Sequence, residues 1–202
     1  FVSAVDLARG LVRLATEPDL NERARFDLSV ALDGLGTAHL DMSRLGTARA
    51  AFEEALDLRK ALLDKRPSNL DWRHRMAVSH AAATIAELER SGLRGRGGAG
   101  YPTGAKWAAC AATPGPERYV VCNADEGEPG TFKDRELLAH HAELVIEGMT
   151  VAAFAVGAQR GLIYLRAEYP FLVAPLLELL ERRRAAGLLG RAVGGVAGFA
   201  FD

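Results

Sequence analysis

Apolar residues in the first third of the chain recur every three or four positions: Leu28, Leu32, Leu35 and Leu40, then Ala48, Phe52, Ala55 and Leu56. That spacing gathers each set on one helix face, so residues 1 to 66 read as helices. The turn Ser43 to Gly46 is expected to separate two antiparallel helices, with Gly36 and Ala48 allowing close approach and Phe52 filling the gap. Another helix is expected from Leu70 or Asp71 to Arg90, ended in the usual way by Ser91-Gly92.

Beyond Gly92 the pattern changes. A glycine-rich stretch runs to Gly104 and leads into a helix that Thr103 is placed to cap. Arg118 to Cys122 then reads as a short buried strand. Leu137, Leu138, His141, Leu144, Val145, Met149, Ala152 and Ala153 give one apolar helix face running through to Val156. Thr131 is expected to cap that helix, with Asp134 at capping-box distance. Gly161 to Arg166 reads as a second buried strand, Glu168 to Ala186 as an amphipathic helix, and Val193 to Phe201 as a glycine-spaced strand or hairpin. Strand, helix, strand, helix is the α/β order. Two domains are expected, an all-α helical-hairpin segment over 1–84 and a partial α/β domain over 85–202.

Composition narrows the function classes. The net charge of −1 is spread evenly, with 13 basic and 14 acidic residues in 1–90 and 12 of each after it, so no electrostatic footprint for nucleic acid exists. Cys110 and Cys122 lack metal-ligand spacing, which argues against an autonomous zinc or iron–sulfur site and suits a reducing compartment. The longest apolar run, Met149 to Ala158, falls short of the ~20 residues of a membrane span. The segment after Phe1 lacks the order of a signal peptide, and the chain is expected to be a fragment or processed piece. His39, His74 and His80 are scattered. Adjacent His140 and His141 face different sides of a helix, so no metal site is read there. Trp72 is read as a packing residue that opens its helix.

The candidate chemistry lies in two blocks. In the first, SGLRGRGGAGYPTGAKW, glycines beside Arg94, Arg96 and Lys106 let backbone amides approach an anion that the cations neutralise, a phosphate cradle. Gly95 to Gly100 satisfies G-x-G-x-x-G, but a helix precedes it where a dinucleotide fingerprint needs a strand. Gly104-Ala105-Lys106 also lacks the Ser or Thr of a phosphate-binding P-loop. Tyr101, Pro102 and Trp107 argue for an ordered loop over a flexible linker. The second block, RYVVCNADEGEPGTFKDRE, delivers Asn123, Asp125, Glu126 and Glu128 at the end of a strand, where ligands of α/β sheets gather.

Together these blocks resemble the flavin-bearing, NADH-oxidising 51 kDa subunit of respiratory complex I and its relatives in NAD-linked hydrogenases and formate dehydrogenases. The resemblance covers about residues 85 to 202. It implies FMN and NAD(H) as cofactors, with the loop Gly95, Arg96, Gly97, Gly98, Ala99, Gly100, Tyr101, Pro102, Thr103 and Gly104 against both. Lys106 would lie near the flavin phosphate, and Tyr101 stands where the family has a stacking Phe. Ala109 replaces a second aromatic, which weakens the expected grip on adenine. Asn123, Asp125 and Glu126 would bond the flavin ribityl chain and ring edges, and Glu128, the candidate catalytic residue, would lie beside the nicotinamide. No residue here is expected to hold metal. The family's 4Fe-4S cluster belongs to a later segment, as do a second glycine and glutamate loop and a ubiquitin-like module.

The helical part resembles a tetratricopeptide repeat, with Leu32, Leu35, Gly36, His39, Ala48, Phe52 and Ala55 at its signature positions. The expected function is an NADH dehydrogenase flavoprotein module, passing hydride from NADH to FMN and electrons onward to an iron–sulfur partner, here incomplete. Its expected setting is cytoplasmic, or peripheral at a membrane within a multi-subunit complex, with a peptide or protein partner for the repeat and no membrane insertion. The rival reading is a repeat-type interaction scaffold fused to an inactive flavin-domain remnant. The reading frame beyond Asp202 separates the two.

Overall fold

The computed structural model describes residues 2–42, 44–196 and 198–202. It is helix-rich, with one two-stranded parallel sheet. The chain forms two compact units, Phe1–Cys110 and Ala111–Asp202.

The first unit holds α1 (Val2–Leu14), α2 (Pro18–Asp41), α3 (Leu45–Lys65), α4 (Leu70–Ser91) and nearly all of α5 (Thr103–Ala112). The apolar stripes read from the sequence meet in its core, where Val5 and Ala8 of α1 pack with Leu28 and Leu32 of α2 and Ala51 and Ala55 of α3. Helices α2 and α3 are antiparallel: Asp19 near the start of α2 meets Arg66, just past α3, at 2.5 Å, and Gly36 meets Phe52 midway. A Cβ on Gly36 would lie 2.7 Å from the Phe52 ring, so glycine's helix penalty of about 1 kcal/mol is accepted here for a close crossing. Gly46 lies inside the first turn of α3 and not between the helices, and Ser43 of the expected turn is outside the described residues.

Asn69 caps α4 by accepting a hydrogen bond from the Trp72 amide at 3.1 Å, and Gly92, at φ 65°, ends it in the left-handed conformation. Trp72 is buried and stacks on Phe26 at 6.1 Å, in keeping with a packing role.

The second unit holds β1 (Tyr119–Ala124), α6 (Lys133–His140), α7 (Ala142–Val156), β2 (Arg160–Leu165) and α8 (Val173–Ala185). The strands pair in parallel from Tyr119↔Arg160 to Ala124↔Leu165, joined by the crossover α6–α7. Ala124 and Leu138 form a core with Tyr169, Leu172 and Leu176. The expectation of two buried strands does not hold. They alternate, and Tyr119, Val121, Leu162 and Tyr164 are exposed, because the helices of this unit cover one sheet face.

Three further expectations are corrected. The single helix to Val156 is two helices bent by 95° at His141, whose φ of −136° breaks the spiral. The bend lets Leu138 enter one cluster while Ile146, Met149 and Ala153 are buried further along, and it leaves His141 exposed. The last helix starts only after a 3₁₀ turn at Pro170–Leu172. Among the described residues, 193–201 holds a 3₁₀ turn and a lone Gly190↔Phe201 bridge, with no strand. Also among the described residues, no single helix is long and apolar enough to cross a membrane.

Candidate functional site

The glycine block is an ordered loop pinned at its base. The Gly95 amide donates to the Tyr101 carbonyl at 2.9 Å and the Thr103 amide to that of Leu93 at 2.9 Å, making an antiparallel bridge between Arg94 and Pro102. Arg94 Nη1 donates to the Gly100 carbonyl at 2.9 Å and ties the tip back. Between these anchors the amides of Arg96, Gly97, Gly98, Ala99 and Gly100 donate to no group among the described residues. Gly98 at φ 102° and Gly100 at φ 61° adopt conformations that side chains resist. A solvent-facing row of free amides beside cations is suited to oxyanions.

Thr103 does not take the capping position expected of it at α5. It is the first helical residue, and the Pro102 carbonyl accepts from the Lys106 amide. Gly104 is where α5 crosses α4: a Cβ there would fall 2.4 Å from Glu89 Cγ and 2.6 Å from Glu89 N. The crossing half-buries Glu89 and raises its carboxyl pKa. Tyr101 and Lys106 are exposed.

The second block lies in the other unit, at the carboxyl end of β1. Asn123 Oδ1 accepts from the Asp125 amide at 3.2 Å, starting a turn in which Asp125 and Glu128 are exposed. Glu126 takes a positive φ of 44°. Its Oε1 accepts from the Asp134 amide at 2.6 Å, and its Oε2 from the Arg135 amide at 3.3 Å and the Tyr169 hydroxyl at 2.8 Å. Arg166 Nη1 donates to its carbonyl. Burial alone would raise the Glu126 carboxyl, but the Asp134 amide, the Tyr169 hydroxyl and the Arg135 amide outweigh it and hold the carboxyl below its usual range. The same contact raises the Tyr169 phenol. The capping role given to Thr131 thus passes to Glu126, while the Thr131 hydroxyl donates to the Glu128 carbonyl at 2.7 Å.

The structure therefore brings Gly95 to Lys106 together in one group and Asn123 to Glu128 in another. Sequence reasoning gave Arg94 only a neutralising charge, missing its tie to the Gly100 carbonyl, and it missed Arg166 and Tyr169 altogether. For the latter two the available signal was their position just past the end of β2, which runs parallel to β1 and so ends beside the acidic loop. An apolar hollow in the second unit, about 320 Å³ and lined by Ile146, Met149, Ile163 and Phe201 among others, contains none of these residues. Among the described residues, no group of His, Cys, Asp and Glu is arranged to hold a metal.

Comparison with known proteins bears on the same blocks. The family model of the Nuo51 FMN-binding domain matches residues 88–197. The alpha subunit of the NAD-reducing hydrogenase HoxS of Cupriavidus necator is 55% identical over 118 residues, which is 58% of this chain and 20% of that protein. The mitochondrial NADH dehydrogenase (ubiquinone) flavoprotein 1 of Dictyostelium discoideum is 44% identical over 120 residues, 58% of this chain and 25% of that protein. Among solved structures, an NAD+-reducing [NiFe]-hydrogenase in the H2-reduced state superposes with a TM-score of 0.51 at 47% identity, over 55% of this chain and 19% of that one. The chain thus spans about a fifth to a quarter of the length of these relatives.

Proposed function

This chain belongs to the Nuo51 FMN-binding domain family over residues 88–197, and from that premise we propose that it is part of an NADH-oxidising flavoprotein module within a multi-subunit electron-transfer complex. The observation that carries the reading is the pinned glycine loop, whose tip amides from Arg96 to Gly100 are free to donate. Such a row fits the phosphate groups of FMN and of a dinucleotide.

The residues present fit the cofactor's chemistry. Gly95, Arg96, Gly97, Gly98, Ala99, Gly100, Pro102, Thr103 and Gly104 supply the close-approach backbone, Lys106 an exposed cation, and Tyr101 an exposed ring for stacking. Asn123 and Asp125 offer polar atoms for the ribityl chain and ring edge, and exposed Glu128 is assigned to the nicotinamide side. When bound, FMN supplies hydride acceptance and one-electron release, and the protein's part is binding, orientation and electrostatics. The negative charge of Glu128 repels phosphates and so disfavours an overly tight nucleotide.

Residues 1–84 are proposed as a tetratricopeptide-like helical segment with a peptide or protein partner. The antiparallel pair α2–α3 and the close Gly36–Phe52 crossing support this reading. The division at 84/85 follows the extent of the flavin-family resemblance, whereas compactness divides the chain at Cys110.

The 202 residues alone are expected to hold FMN weakly and to oxidise NADH slowly, since preorganised sites need donors from several sides. Flavin fluorescence quenching and NADH-dependent ferricyanide reduction test this. Tight stoichiometric FMN binding with rapid turnover would mean that these residues make a whole site. Absence of any FMN-induced change in amide resonances at Gly97–Gly100 and Asn123–Glu128, even at millimolar FMN, would sink the flavin reading itself.

A further inference from the structure

We infer that Glu126 is a positioning residue of the acidic loop and not a ligand of the cofactor, and that Tyr169 and Arg166 hold it in that role. The inference refines the flavin reading above, on which it rests, by separating the carboxylates of the second block into one turned inward and two facing solvent.

The carboxylate of Glu126 is already committed. Both oxygens accept from the protein: one from the Asp134 amide, the other from the Arg135 amide and the Tyr169 hydroxyl. The amides of Asp134 and Arg135 belong to the first turn of α6, where backbone donors lack helical partners. Glu126 thus caps α6 from outside the helix, with its charge on the positive end of the dipole. That helix end is therefore closed to a phosphate, and oxyanion binding falls to the loop tip Arg96–Gly100.

The backbone of Glu126 explains why these bonds are needed. A non-glycine residue at φ 44° is strained, and it persists only where its surroundings over-determine it. Here the side chain is held by three donors and the carbonyl by Arg166, whose own amide donates to the Ala124 carbonyl at 3.1 Å. Tyr169 is buried in the cluster with Ala124 and Leu138, so its hydroxyl is fixed by packing. The guanidinium of Arg166 lies 5.9 Å from the centre of the Tyr169 ring. The left-handed residue reverses the chain and leaves Asp125 and Glu128 exposed on either side of it. Neither of those two carboxylates accepts a hydrogen bond among the described residues, as groups reserved for a ligand should not.

The test uses the 202-residue chain, isotopically labelled, as wild type, E126Q and Y169F. Without ligand, the Asp134 and Arg135 amide protons should resonate downfield in wild type, and in E126Q they should move upfield and exchange faster. Unchanged amides would overturn the positioning role whether or not FMN binds. On titration with FMN, the signals of Asn123 and the carboxyl signals of Asp125 and Glu128 should shift while the Glu126 carboxyl stays put. Y169F removes one charge-assisted hydrogen bond to the carboxylate and should weaken FMN binding several-fold, with the amide spectrum of α7 and β2 unchanged. A Glu126 carboxyl that shifts with FMN as far as that of Asp125, releasing the two α6 amides, would make it a direct ligand and refute the inference. If FMN shifts nothing, the flavin reading fails, and the ligand-free comparison still decides the role of Glu126.

Discussion

Arg59, wholly buried in α3, donates from Nη2 to Asp33 Oδ2 of α2 at 2.6 Å, and Ser79 of α4 donates to the other oxygen of the same carboxylate at 2.6 Å. A second guanidinium nitrogen donates to the Arg75 carbonyl at 2.9 Å. Three helices are thus tied through one charge pair, and α4 is held at mid-length by α2 and α3 while its last turn meets α5.

Removing Asp33 leaves the buried Arg59 charge without its partner, so D33A should cost about 3–5 kcal/mol, whereas R59A leaves a half-buried carboxylate that Ser79 still serves and should cost less. The double replacement D33L/R59M should recover most of that loss. Urea unfolding followed by circular dichroism of the helices measures all three. Equal loss in the double variant would mean that the network itself, and not the orphaned charge, supplies the stability.

Gly104 and Gly97 make a matched pair. G104A pushes a methyl group into the backbone of Glu89, where nothing flexible can yield, and should cost about 1–3 kcal/mol in thermal unfolding. A Cβ on Gly97 meets nothing within 4 Å, so G97A should leave stability within about 0.5 kcal/mol. Comparable losses at both positions would mean that α4 and α5 do not cross at Gly104.

The pH dependence of the acidic loop follows from Glu126. Its carboxyl is depressed in the folded chain, so its stabilising contribution is complete above the usual carboxylate range and is lost as pH falls through the folded value. The Tyr169 phenol is raised, so its share is present below the usual phenol range and is lost as pH rises through the folded value. Protection of the Asp134 and Arg135 amides, relative to their intrinsic exchange, should fall in wild type as pH drops below the usual carboxylate range, and E126Q should lack that dependence. A pH dependence retained in E126Q would assign it to another carboxylate.

Burial, followed by the nearby charge of Asp134, raises the Cys122 thiol above its ordinary range, opposed only in part by Lys133. Iodoacetamide near neutral pH should therefore modify Cys122 slowly, with the rate still climbing above the ordinary thiol range. Peptide mass spectrometry reads this directly. Rapid modification near neutral pH would place the thiol in the open.

The helices were legible because their cores are local in sequence. Leu28, Leu32, Ala51 and Ala55 lie on stripes that periodicity displays, and Gly92 ends α4 by a conformation that only its residue type favours. The glycine loop was legible in outline, since Tyr101 and Pro102 signalled order. Its anchoring by Arg94 was not, because a side chain reaching back to the Gly100 carbonyl has no periodic signature. The break at His141 was hidden for a related reason: Leu138 and Met149 satisfy one helical face on paper, and only the different neighbours they bury against require a bend. Glu126 misled most. Composition gave a run of acids, and nothing local said that one of them, at positive φ, would turn inward to a helix end and to a tyrosine beyond the second strand.

The parallel register of β1 and β2 also bears on the order in which the molecule assembles. Tyr119 cannot meet Arg160 until α6 and α7 have carried the chain back along the same direction, so the ladder closes a long loop before it gains a contact. In the first unit, α1 to α4 gain theirs from neighbours along the chain. Helical contacts of that kind form in microseconds to milliseconds, and non-local pairings more slowly. In pulse-labelled refolding, the amides of α2 and α3 should gain protection before those of Leu162 and Ile163. The acidic loop, whose geometry depends on residues from both sides of the crossover, would then be among the last parts of the chain to acquire its shape.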